Sequence, residues 1–563
     1  MDSIRSIGMT YSAPLSGGIP AAAKAPSPGR EEAALPADAV QIGSAPAPDE
    51  GKETVKITVI AQDPAVAKPK TIEIPKEMIG SSVSGPKMYS INSSNPKAIP
   101  DLEGNYLYEL GTPQFDQVNS YATSYNTFNM LESMLGRTPK WAFGGEKLGV
   151  NPHKREGMNA YYSRNEASVN FFYFDSKPLG KTVQTSQSTD IVSHEVGHSF
   201  LDAMKPGYLG WDTETMSVHE GLADTTATLF ALTDDDNVRE IIAQTGGDLK
   251  KPNLLSKVGE EFGIALAKSD KDPNNDDRDY LRTLINGFKY VDPSTLPPRT
   301  SEDKLANECH SFSRILSGAN YDMISAFYET NLESGMSPEA ALKKAGTDFG
   351  SVFYKAVDNC PSYKCKYKDV ALNMLKADKA LNGGKHCADI EKIFHQRNVI
   401  SEGDIKALDM KIPDISVKNP SDAGRISSML SKHGKELGIE DGASFSMGGV
   451  SDNMYGGKSV SLTNSQDVEL KGSAFGKYQN CFVSVNGELK LDFDKDGKLV
   501  DFSYDKIDSK KISDVKLGVI MAAKDGKIMD EGIKSDDNPS KWTAKVMTGE
   551  GGKKFIERLP VIE

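Results

Sequence analysis

The stretch His194-Glu195-Val196-Gly197-His198 decides how the rest of the chain is interpreted. On a helix, residues four positions apart leave the same face one turn apart, so the imidazoles of His194 and His198 can share one metal ion. Zinc binds histidine nitrogens at about 2.0–2.1 Å, which both side chains can meet. Glu195 projects beside the metal position and can take a proton from water without being a ligand. The alternative interpretation is a solvated polar face of an ordinary helix.

A second stretch, residues 220–224 with the sequence EGLAD, supplies what the first one lacks. Catalytic zinc usually takes three protein ligands and keeps a fourth position open. Glu220 can be the third ligand, from a second helix, and Asp224 lies one turn further on the same face. There its carboxylate can accept the free ring N–H of a ligand histidine. An acidic first turn that suits the helix dipole is the alternative. Together the two stretches predict a zinc site.

The pattern HExxH, followed after a gap by ExxxD, resembles the thermolysin-like gluzincin metallopeptidases. The metzincin pattern HExxHxxGxxH is excluded, because Leu201 and Met204 stand where its glycine and third histidine would fall. The resemblance implies an α+β fold with a β-containing N-terminal lobe, an all-helical C-terminal lobe and the zinc helix at the floor of the cleft. It also implies a zinc endopeptidase acting on a peptide or protein substrate, and we expect a monomer.

Weaker matches suggest where an extended peptide would bind. Residues 159–162 resemble the family's strand at the edge of the cleft, beginning with Asn159 and Ala160. The free N–H and C=O groups of such an edge can pair with a peptide, whereas a buried strand without a ligand is the alternative. Ile191 and Leu281 match positions that shape an apolar pocket in the family. Cleavage before bulky apolar residues such as Leu or Phe is therefore predicted.

Three further residues receive roles from the resemblance alone. Tyr208 lies in the connection between the two helices, Arg282 lies in a run similar to L-R-S-M, and His310 begins a stretch similar to H-x-x-S-G. In the family, the matching tyrosine and histidine stabilise the oxyanion and the arginine contacts a substrate carbonyl. A surface ion pair for Arg282 and a half-buried structural role for His310 are the alternatives.

Composition and charge limit the class of protein. The 563 residues suggest two or three domains, and 38% hydrophobic with 26% charged residues fits a soluble globular chain. The net charge of −13 argues against nucleic acid or an anionic membrane as the main partner. The sequence contains no apolar run of about 18 residues that could span a membrane. It also has no Sec-type signal near its start, so we expect a cytoplasmic protein or one exported by another route.

Changes in composition and in apolar periodicity along the chain predict four segments. Residues 1–53, rich in Ala, Pro, Ser and Gly, should be disordered. Residues 54–110 should contain a β-hairpin and a linker. Residues 111–411 should form the peptidase region. Residues 412–563 should form a separate antiparallel β domain that folds independently.

Periodicity places individual elements within these segments. A helix is predicted from Phe115 to Leu135, the zinc helix from about Val183 to Met204, and the second helix from about Ser217 to Leu232. In the C-terminal segment, Asn486-Gly487 predicts a two-residue hairpin turn. Alternating apolar residues from Val515 to Met521 predict a strand there.

Acidic runs raise the question of structural calcium. They lie at Asp234–Asp236 and between Asp270 and Asp279. Family members often bind Ca²⁺ through such loops, and hard oxygen ligands suit it, although solvated loops are the alternative.

The cysteines allow two special interpretations and one ordinary one. Cys360 and Cys365 with Cys387 could form one bridge or a soft metal site, or remain ordinary thiols. Cys309 precedes His310, which suggests a Cys–His nucleophile, but sequence neighbours rarely face each other in the geometry needed.

Two other functions stay open at the level of sequence. A zinc aminopeptidase would need an anchor for the substrate α-amine, such as a G-x-M-E-N-like run, and none is present. A binding or surface protein would use the C-terminal β segment and carry a vestigial peptidase. The presence of every expected catalytic residue argues against that interpretation.

Overall fold

The computed structural model describes residues 9–10, 53–91, 96–209, 212–267, 279–408, 412–440, 443–524, 526–531, 544–558 and 561–562. The disorder predicted for residues 1–53 therefore lies outside the described residues, apart from Met9–Thr10 and Glu53. Helices and several separate sheets are combined, which confirms the α+β class. The division of residues 111–411 into two thermolysin-like lobes stays a prediction.

Helices dominate the middle of the chain. They are α1 (Pro113–Leu135), α2 (Thr189–Met204), α3 (Thr213–Ala231), α4 (Asp235–Thr245), α5 (Glu260–Ala267), α6 (Cys309–Glu333), α7 (Pro338–Asn359), α8 (Tyr367–Asn382), α9 (Cys387–Gln396), α10 (Glu402–Leu408), α11 (Ala423–His433) and α12 (Ser509–Lys524). The helix predicted from Phe115 is confirmed by α1, which begins slightly earlier because Thr112 caps it and Pro113 occupies its first position.

Strands occupy the N-terminal and C-terminal parts. They are β1 (Met9–Thr10), β2 (Thr54–Ile60), β3 (Pro69–Pro75), β4 (Met88–Ser90), β5 (Leu148–Asn151), β6 (Ala160–Ser163), β7 (Ser168–Phe171), β8 (Tyr173–Ser176), β9 (Lys181–Gln184), β10 (Lys257–Val258), β11 (Arg282–Thr283), β12 (Ser446–Asp452), β13 (Lys458–Glu469), β14 (Phe482–Phe493), β15 (Leu499–Asp505), β16 (Ile528–Met529), β17 (Ala544–Thr548), β18 (Lys554–Arg558) and β19 (Val561–Ile562). The predicted hairpin is confirmed, since β2 and β3 pair antiparallel along their whole length.

The hairpin and α1 belong to one hydrophobic core. Ile57 of β2 is fully buried, and the Ile60 N–H donates to Asn119 Oδ1 of α1 at 2.9 Å. The cluster that contains them extends along the chain from Val55 to Ile400. Residues from the predicted 54–110 segment thus share a core with the predicted peptidase region.

The sheet next to α2 has the strand order β19-β1-β6-β7-β5-β4. β6 pairs antiparallel with β7, with Ala160 opposite Phe171. On its other side, β6 meets β1 at a single position, Thr10 opposite Ser163. Among the described residues, no strand pairs with Ala160–Tyr162 on that side, so the predicted cleft edge is covered at one end only.

The predicted starts of both metal-site helices are wrong. Val183 lies in β9, opposite Phe174 of β8, and α2 begins only at Thr189 after its N-cap Ser188. α3 begins at Thr213 rather than near Ser217, because the Asp212 carboxylate accepts the Glu214 N–H and caps the first turn. Polar capping residues, more than apolar periodicity, fix these boundaries.

The C-terminal sheet has the order β12-β13-β14-β18-β17-β16, with β15 paired to β14. The prediction of an antiparallel sheet is wrong in part, because β14 pairs parallel with β18 and β16 pairs parallel with β17. The turn predicted at Asn486-Gly487 is wrong, because both residues lie inside β14, and Gly487 is opposite Asn464. A Cβ on Gly487 would lie 2.3 Å from Asn464 Oδ1 and 3.0 Å from the Asp505 carbonyl oxygen. The glycine therefore permits a close approach between strands and does not make a turn.

The strand predicted from Val515 to Met521 is also wrong, since these residues lie in α12. Val519 is fully buried, whereas Leu517 and Met521 are 55% and 50% exposed. Buried Val519 and partly buried Val515 and Ala523 recur every four residues and pack into one small cluster. An alternating pattern on the sequence thus belongs to a helix with one buried face.

Two small hydrophobic clusters lie in the C-terminal segment, one from Ile415 to Leu499 and one from Leu470 to Ile556. They are separate from the large cluster that ends at Ile400. The segment boundaries at residues 110 and 411 stay predictions. No helix in the described ranges is both long and apolar enough for a membrane crossing.

Buried polar groups join the C-terminal sheet to the helical region. The Glu488 carboxylate of β14, only 2% exposed, accepts from the Ser362 N–H at 2.6 Å and from its hydroxyl at 2.7 Å. The Lys376 ammonium of α8 donates to both oxygens of Asp501 at 2.8 and 2.7 Å. Removing the partner of a buried charged group strongly destabilises the fold.

Candidate metal centre

The sequence of α2 buries its motif against α3. His194 and His198 are 1% exposed, and Glu195 is 0% exposed. A Cβ on Gly197 would lie 2.6 Å from Thr226 Oγ1 and 3.1 Å from Ala223 Cα. Because glycine has no Cβ, the two helices approach closely enough for an α3 side chain to reach the histidines.

Glu220 of α3 completes a triangle of potential ligand residues. His194 Nε2 lies 3.1 Å from His198 Nε2 and 3.5 Å from Glu220 Oε2, and His198 Nε2 lies 3.6 Å from Glu220 Oε1. Ligand atoms held at about 2.0–2.1 Å around a tetrahedral ion lie roughly 3.4 Å from one another. The contacts between these residues are close to that spacing, and one ligand atom from each lies within 4.8 Å of the other two, so the three residues can hold a metal ion.

The charge states of the two histidines suit cation binding. Burial, and then the charges of His194 and His219, hold the pKa of His198 well below its usual range, so its imidazole is neutral. Burial also works to lower the pKa of His194, but hydrogen bonding to Asp224 and Glu220 outweighs it and raises the pKa to about 9. A divalent cation would take the place of the proton on His194.

Asp224 lies where the sequence places it, behind His194. Its Oδ1 is 3.1 Å from His194 Nδ1, and its Oδ2 accepts from the Ser317 hydroxyl at 3.0 Å. Burial works to raise the pKa of Asp224, but the charge of Arg282 and the contact with His194 outweigh it and lower the pKa to about 2. The carboxylate therefore stays charged beside the ligand ring.

His219 is a site residue that the sequence analysis missed. Its Nδ1 lies 2.9 Å from His198 Nδ1, and its ring is fully buried. Burial, and then the charges of Arg164 and His194, lower the pKa of His219 to about 3. Its place immediately before Glu220 was the only available signal, because the contact depends on how α2 and α3 cross.

Glu195 has the environment of a proton carrier. Both of its carboxylate oxygens are buried without a hydrogen-bond partner. Burial is the main cause that raises the pKa of Glu195 to about 8, and the charge of Glu220 adds to it, while His194 opposes it. A carboxyl with this pKa can both accept and release a proton near neutral pH.

His310 reaches the same centre from the first turn of α6. Its Nε2 lies 3.3 Å from Glu220 Oε1, and its Nδ1 lies 2.6 Å from Glu308 Oε1. Burial works to lower the pKa of His310, but Glu220, Cys309 and Glu308 outweigh it and hold the pKa well above its usual range. Glu308, which caps α6 through the His310 and Ser311 N–H groups, was not predicted as a site residue.

Arg282 of β11 also lies at the centre. Its guanidinium is 3.1 Å from Asp224 Oδ1 and 3.9 Å from Glu220 Oε2. The ion pair is buried, so the alternative of a surface ion pair does not describe it. Contact with a substrate carbonyl stays a prediction.

Tyr208 does not reach the ligand triangle through any contact that the described residues show. It is fully buried, and its hydroxyl has no hydrogen-bond partner of normal geometry. Burial, and then the neighbouring thiols of Cys365 and Cys360, raise the pKa of Tyr208 well above its usual range. The role in oxyanion stabilisation stays a prediction for this residue.

Some backbone and side-chain polar groups of Asn159 and Ala160 are already hydrogen-bonded within the protein. Asn159 Oδ1 accepts from the Ala160 N–H at 3.0 Å, and the Asn159 carbonyl accepts from the Phe172 N–H at 3.1 Å. Strand β6 nevertheless passes beside the centre, because the Tyr162 N–H lies close enough to lower the pKa of Glu195. Peptide binding at this strand stays a prediction.

The two predicted pocket residues come together around a glycine. A Cβ on Gly259 would lie 3.4 Å from Leu281 Cβ and 3.9 Å from Ile191 Cγ1. Ile191 is 2% exposed and Leu281 is half-buried. Substrate specificity at this position stays a prediction.

The acidic run at 234–236 has partners other than a shared ion. Asp234 caps α4 and pairs with Lys70, while Asp235 pairs with Lys343 at 2.6 Å. Asp270 lies outside the described residues, and Asp279 pairs with Lys257 at 2.5 Å. In the described ranges, both groups with metal-ligand geometry include Glu220 and neither includes this run.

A different cluster of buried carboxylates lies near the start of α2 and was missed. Asp190 accepts from the Gly259 N–H at 3.0 Å and from Gln62 at 2.7 Å. Asp63 and Glu260 each keep one buried oxygen without a hydrogen-bond partner. Burial raises the pKa of Asp190 to about 7 and that of Glu260 to about 10.

All the cysteines are free thiols. Cys360 and Cys365 are buried near each other without a bridge, which agrees with the ordinary interpretation of these residues. Cys309 Sγ lies 3.4 Å from His310 Nδ1, so these sequence neighbours do face each other. Burial raises the pKa of Cys309 to about 12, which does not suit a nucleophilic thiolate.

Comparison with known proteins adds no family. The chain matches no protein-family model and no curated protein.

Proposed function

We propose that this chain is a zinc-dependent metalloendopeptidase that hydrolyses peptide bonds with water. One observation carries the proposal. The buried side chains of His194, His198 and Glu220 contact one another at 3.1, 3.5 and 3.6 Å, with a different Glu220 oxygen facing each histidine, beside the unpartnered carboxylate of Glu195. A structural metal site has no need for a buried, uncoordinated carboxylate, whereas hydrolysis needs one as a base.

The ligand set suits zinc among the common divalent ions. Two imidazole nitrogens and one carboxylate oxygen leave a fourth position free for water or substrate. A zinc ion held by His194, His198 and Glu220 would supply Lewis-acid chemistry, lowering the pKa of water and polarising a carbonyl group. Asp224 and His219 hold the outward nitrogens of the two rings and so orient them.

Glu195 carries the proton in the proposed reaction. It accepts a proton from the attacking water and then donates it to the nitrogen of the leaving amine. Its pKa, raised to about 8 chiefly by burial, suits both steps near neutral pH. His310, whose pKa lies well above its usual range, brings positive charge to the side of the centre where the oxyanion develops.

The substrate in this proposal is an extended peptide lying along β6. Ile191 and Leu281 around Gly259 would receive the residue after the cleaved bond, so we propose cleavage before Leu or Phe. Burial of such a side chain contributes about 1.5–3 kcal/mol, enough to bias the choice of bond.

Metal content and peptide hydrolysis test the proposal together. The purified chain should contain one zinc per chain and digest casein, lose activity with a chelator, and regain it with zinc. Glu195→Gln should abolish the digestion. Glu214→Gln is the matched control, because Glu214 is a buried glutamate of α3 that contacts Tyr290 and the Tyr367 N–H.

Peptides with free and acetylated amino termini separate the rival activities. An endopeptidase cleaves both internally, whereas an aminopeptidase acts only on the free terminus. A chain that binds zinc but cleaves neither peptide would be the binding protein with a vestigial peptidase. A chain that binds no zinc would contradict the proposal as a whole.

A further inference from the structure

A second group of metal-ligating side chains adjoins the first. Glu220, Cys309 and His310 offer one carboxylate oxygen, one sulfur and one ring nitrogen that all lie within 4.8 Å of one another. Cys309 and His310 begin α6, while Glu220 lies on α3. The proposed hydrolysis gives no role to the Cys309 thiol.

The cap of α6 sets the direction of the His310 ring. Glu308 accepts the His310 and Ser311 N–H groups at 3.1 and 2.8 Å, and its Oε1 lies 2.6 Å from His310 Nδ1. A carboxylate at Nδ1 favours the tautomer with its proton there. His310 Nε2 lies 3.3 Å from Glu220 Oε1, so it holds a proton toward that oxygen until a cation takes the proton's place.

The two oxygens of Glu220 face different partners. Oε2 lies 3.5 Å from His194 Nε2, whereas Oε1 lies between His198 Nε2 at 3.6 Å and His310 Nε2 at 3.3 Å. A carboxylate can give one oxygen to each of two cations, and paired metal sites lie about 3.5–4 Å apart. Glu220 can therefore belong to both groups at once.

We propose that Glu220, Cys309 and His310 form a second site for a soft divalent cation, Zn²⁺ or Cd²⁺, which shares Glu220 with the first site. On binding, the cation replaces the thiol proton of Cys309 and the Nε2 proton of His310, and both protons pass to the solvent. A thiolate with an imidazole selects these ions over Mg²⁺ and Ca²⁺, which prefer oxygen ligands.

The second ion would regulate the proposed peptidase, and this part of the inference rests on the proposed function. His310 and one oxygen of Glu220 would be engaged by the ion. His310 would then no longer be available to the developing oxyanion. A second equivalent of Zn²⁺ should therefore reduce the hydrolysis that the first equivalent supports.

Cadmium titration of the metal-free full chain tests the second site directly. The first site contains no sulfur, so an ultraviolet charge-transfer band of thiolate-bound Cd²⁺ that disappears in Cys309→Ser reports the second site. We expect two equivalents of Cd²⁺ and the band in the wild type. Cys309→Ser should bind one equivalent and show no band.

Two further variants make the result specific. Cys387→Ser is the matched control and should keep both equivalents and the band, because Cys387 donates to the Leu375 carbonyl far along the chain from α6. His194→Ala should lose one equivalent and keep the band, since it removes only the first site. If the wild type binds only the equivalent of Cd²⁺ that gives the thiolate band, the first site is missing. That result would count against the proposed function and not against the second site.

One result overturns the inference. If the wild type shows no thiolate band on binding Cd²⁺, or shows a band that remains in Cys309→Ser, the second site does not exist.

Discussion

At the scale of single residues, the pairing of His198 with His219 controls the ligand ring. Two ring nitrogens 2.9 Å apart hold one proton between them, so one donates and the other accepts. When His198 Nε2 binds a cation, its Nδ1 must carry that proton and His219 Nδ1 must accept it. His219 therefore fixes both the tautomer and the orientation of His198.

Substitution of His219 should weaken metal binding according to the acceptor that remains. His219→Leu removes the acceptor, and we expect zinc affinity to fall about 10–100-fold. His219→Asn keeps a side-chain oxygen and should retain most of the affinity. Competition with a chromophoric chelator measures both. Equal affinities for the Leu and Asn variants would show that His219 only fills space.

The three candidate ligands and Asp224 could be predicted from the sequence, whereas His219 and Glu308 could not. His194, His198 and Glu220 follow from spacing along two helices, which is local information. The contacts of His219 and Glu308 depend on the angles at which α2, α3 and α6 meet. No spacing on the chain encodes those angles.

At the scale of elements, close packing of α2 on α3 positions the site. Gly197→Ala would place a methyl group 2.6 Å from Thr226 Oγ1, so one helix must move away from the other. We expect a loss of stability of about 1–3 kcal/mol, together with weaker zinc binding. Chemical denaturation and zinc titration measure the two effects.

Gly403→Ala in α10 is the control for that substitution. Its added Cβ would meet only Ser401 Oγ, at an ordinary 3.6 Å. Alanine has the higher helix propensity, so this variant should be neutral or slightly more stable, by up to about 1 kcal/mol. If both alanine variants behave alike, the close approach of α2 and α3 is not important.

The buried carboxylates near α2 should make stability depend on pH. Burial raises the pKa of Glu260 from 4.5 to about 10, with Asp190 and Asp63 adding to the shift. The folded chain keeps a proton that the unfolded chain releases above about pH 4.5. The free energy of unfolding should therefore fall between about pH 6 and pH 8, by up to roughly 1.4 kcal/mol per pH unit.

Denaturation at the two pH values checks this sign. Glu260→Gln is neutral in both states and should reduce the slope of this dependence. Glu240→Gln, on the exposed face of α4, should leave it unchanged. Greater stability of the wild type at the higher pH would contradict the prediction.

Local signals predicted some elements and failed for others. α1, with apolar residues every three or four positions, and the β2–β3 hairpin, with alternating apolar residues, were predicted. The Asn486-Gly487 pair has the residues of a turn, but twelve-residue pairing with β13 keeps it extended in β14. In α12 the apolar residues alternate, and only the packing partners distinguish a helix from a strand.

At the scale of the whole molecule, the C-terminal sheet is joined to the helical region by buried charges. Lys205, at the end of α2, is 5% exposed and donates to the Cys360 carbonyl at 2.6 Å. Burial lowers the pKa of Lys205 while the charge of Glu488 opposes that shift, and the Glu488 carboxylate also accepts the Ser362 N–H. Removal of the sheet would take away the acceptor of the Ser362 N–H and hydroxyl groups and the Asp501 carboxylate that pairs with Lys376.

Truncation after Leu408 should therefore lower the melting temperature of the remaining chain. Removing the partner of a buried charge lowers the free energy of unfolding by about 3–5 kcal/mol. For a chain of this size, that loss lowers the melting temperature by several degrees. Glu488→Gln in the full chain should reproduce part of the loss. An unchanged melting temperature after truncation would mean that the C-terminal segment folds and acts independently.

The central claim is that Glu195 moves protons while Glu220 holds the metal. Zinc stoichiometry and kcat, measured together on Glu195→Gln and Glu220→Gln, test it most directly. We predict that Glu195→Gln keeps one zinc while kcat falls by at least about 10²–10⁴-fold, since a proton carrier is lost. Glu220→Gln should lose zinc and activity together. If Glu195→Gln loses zinc while Glu220→Gln keeps both zinc and activity, the assignment of the two glutamates is contradicted.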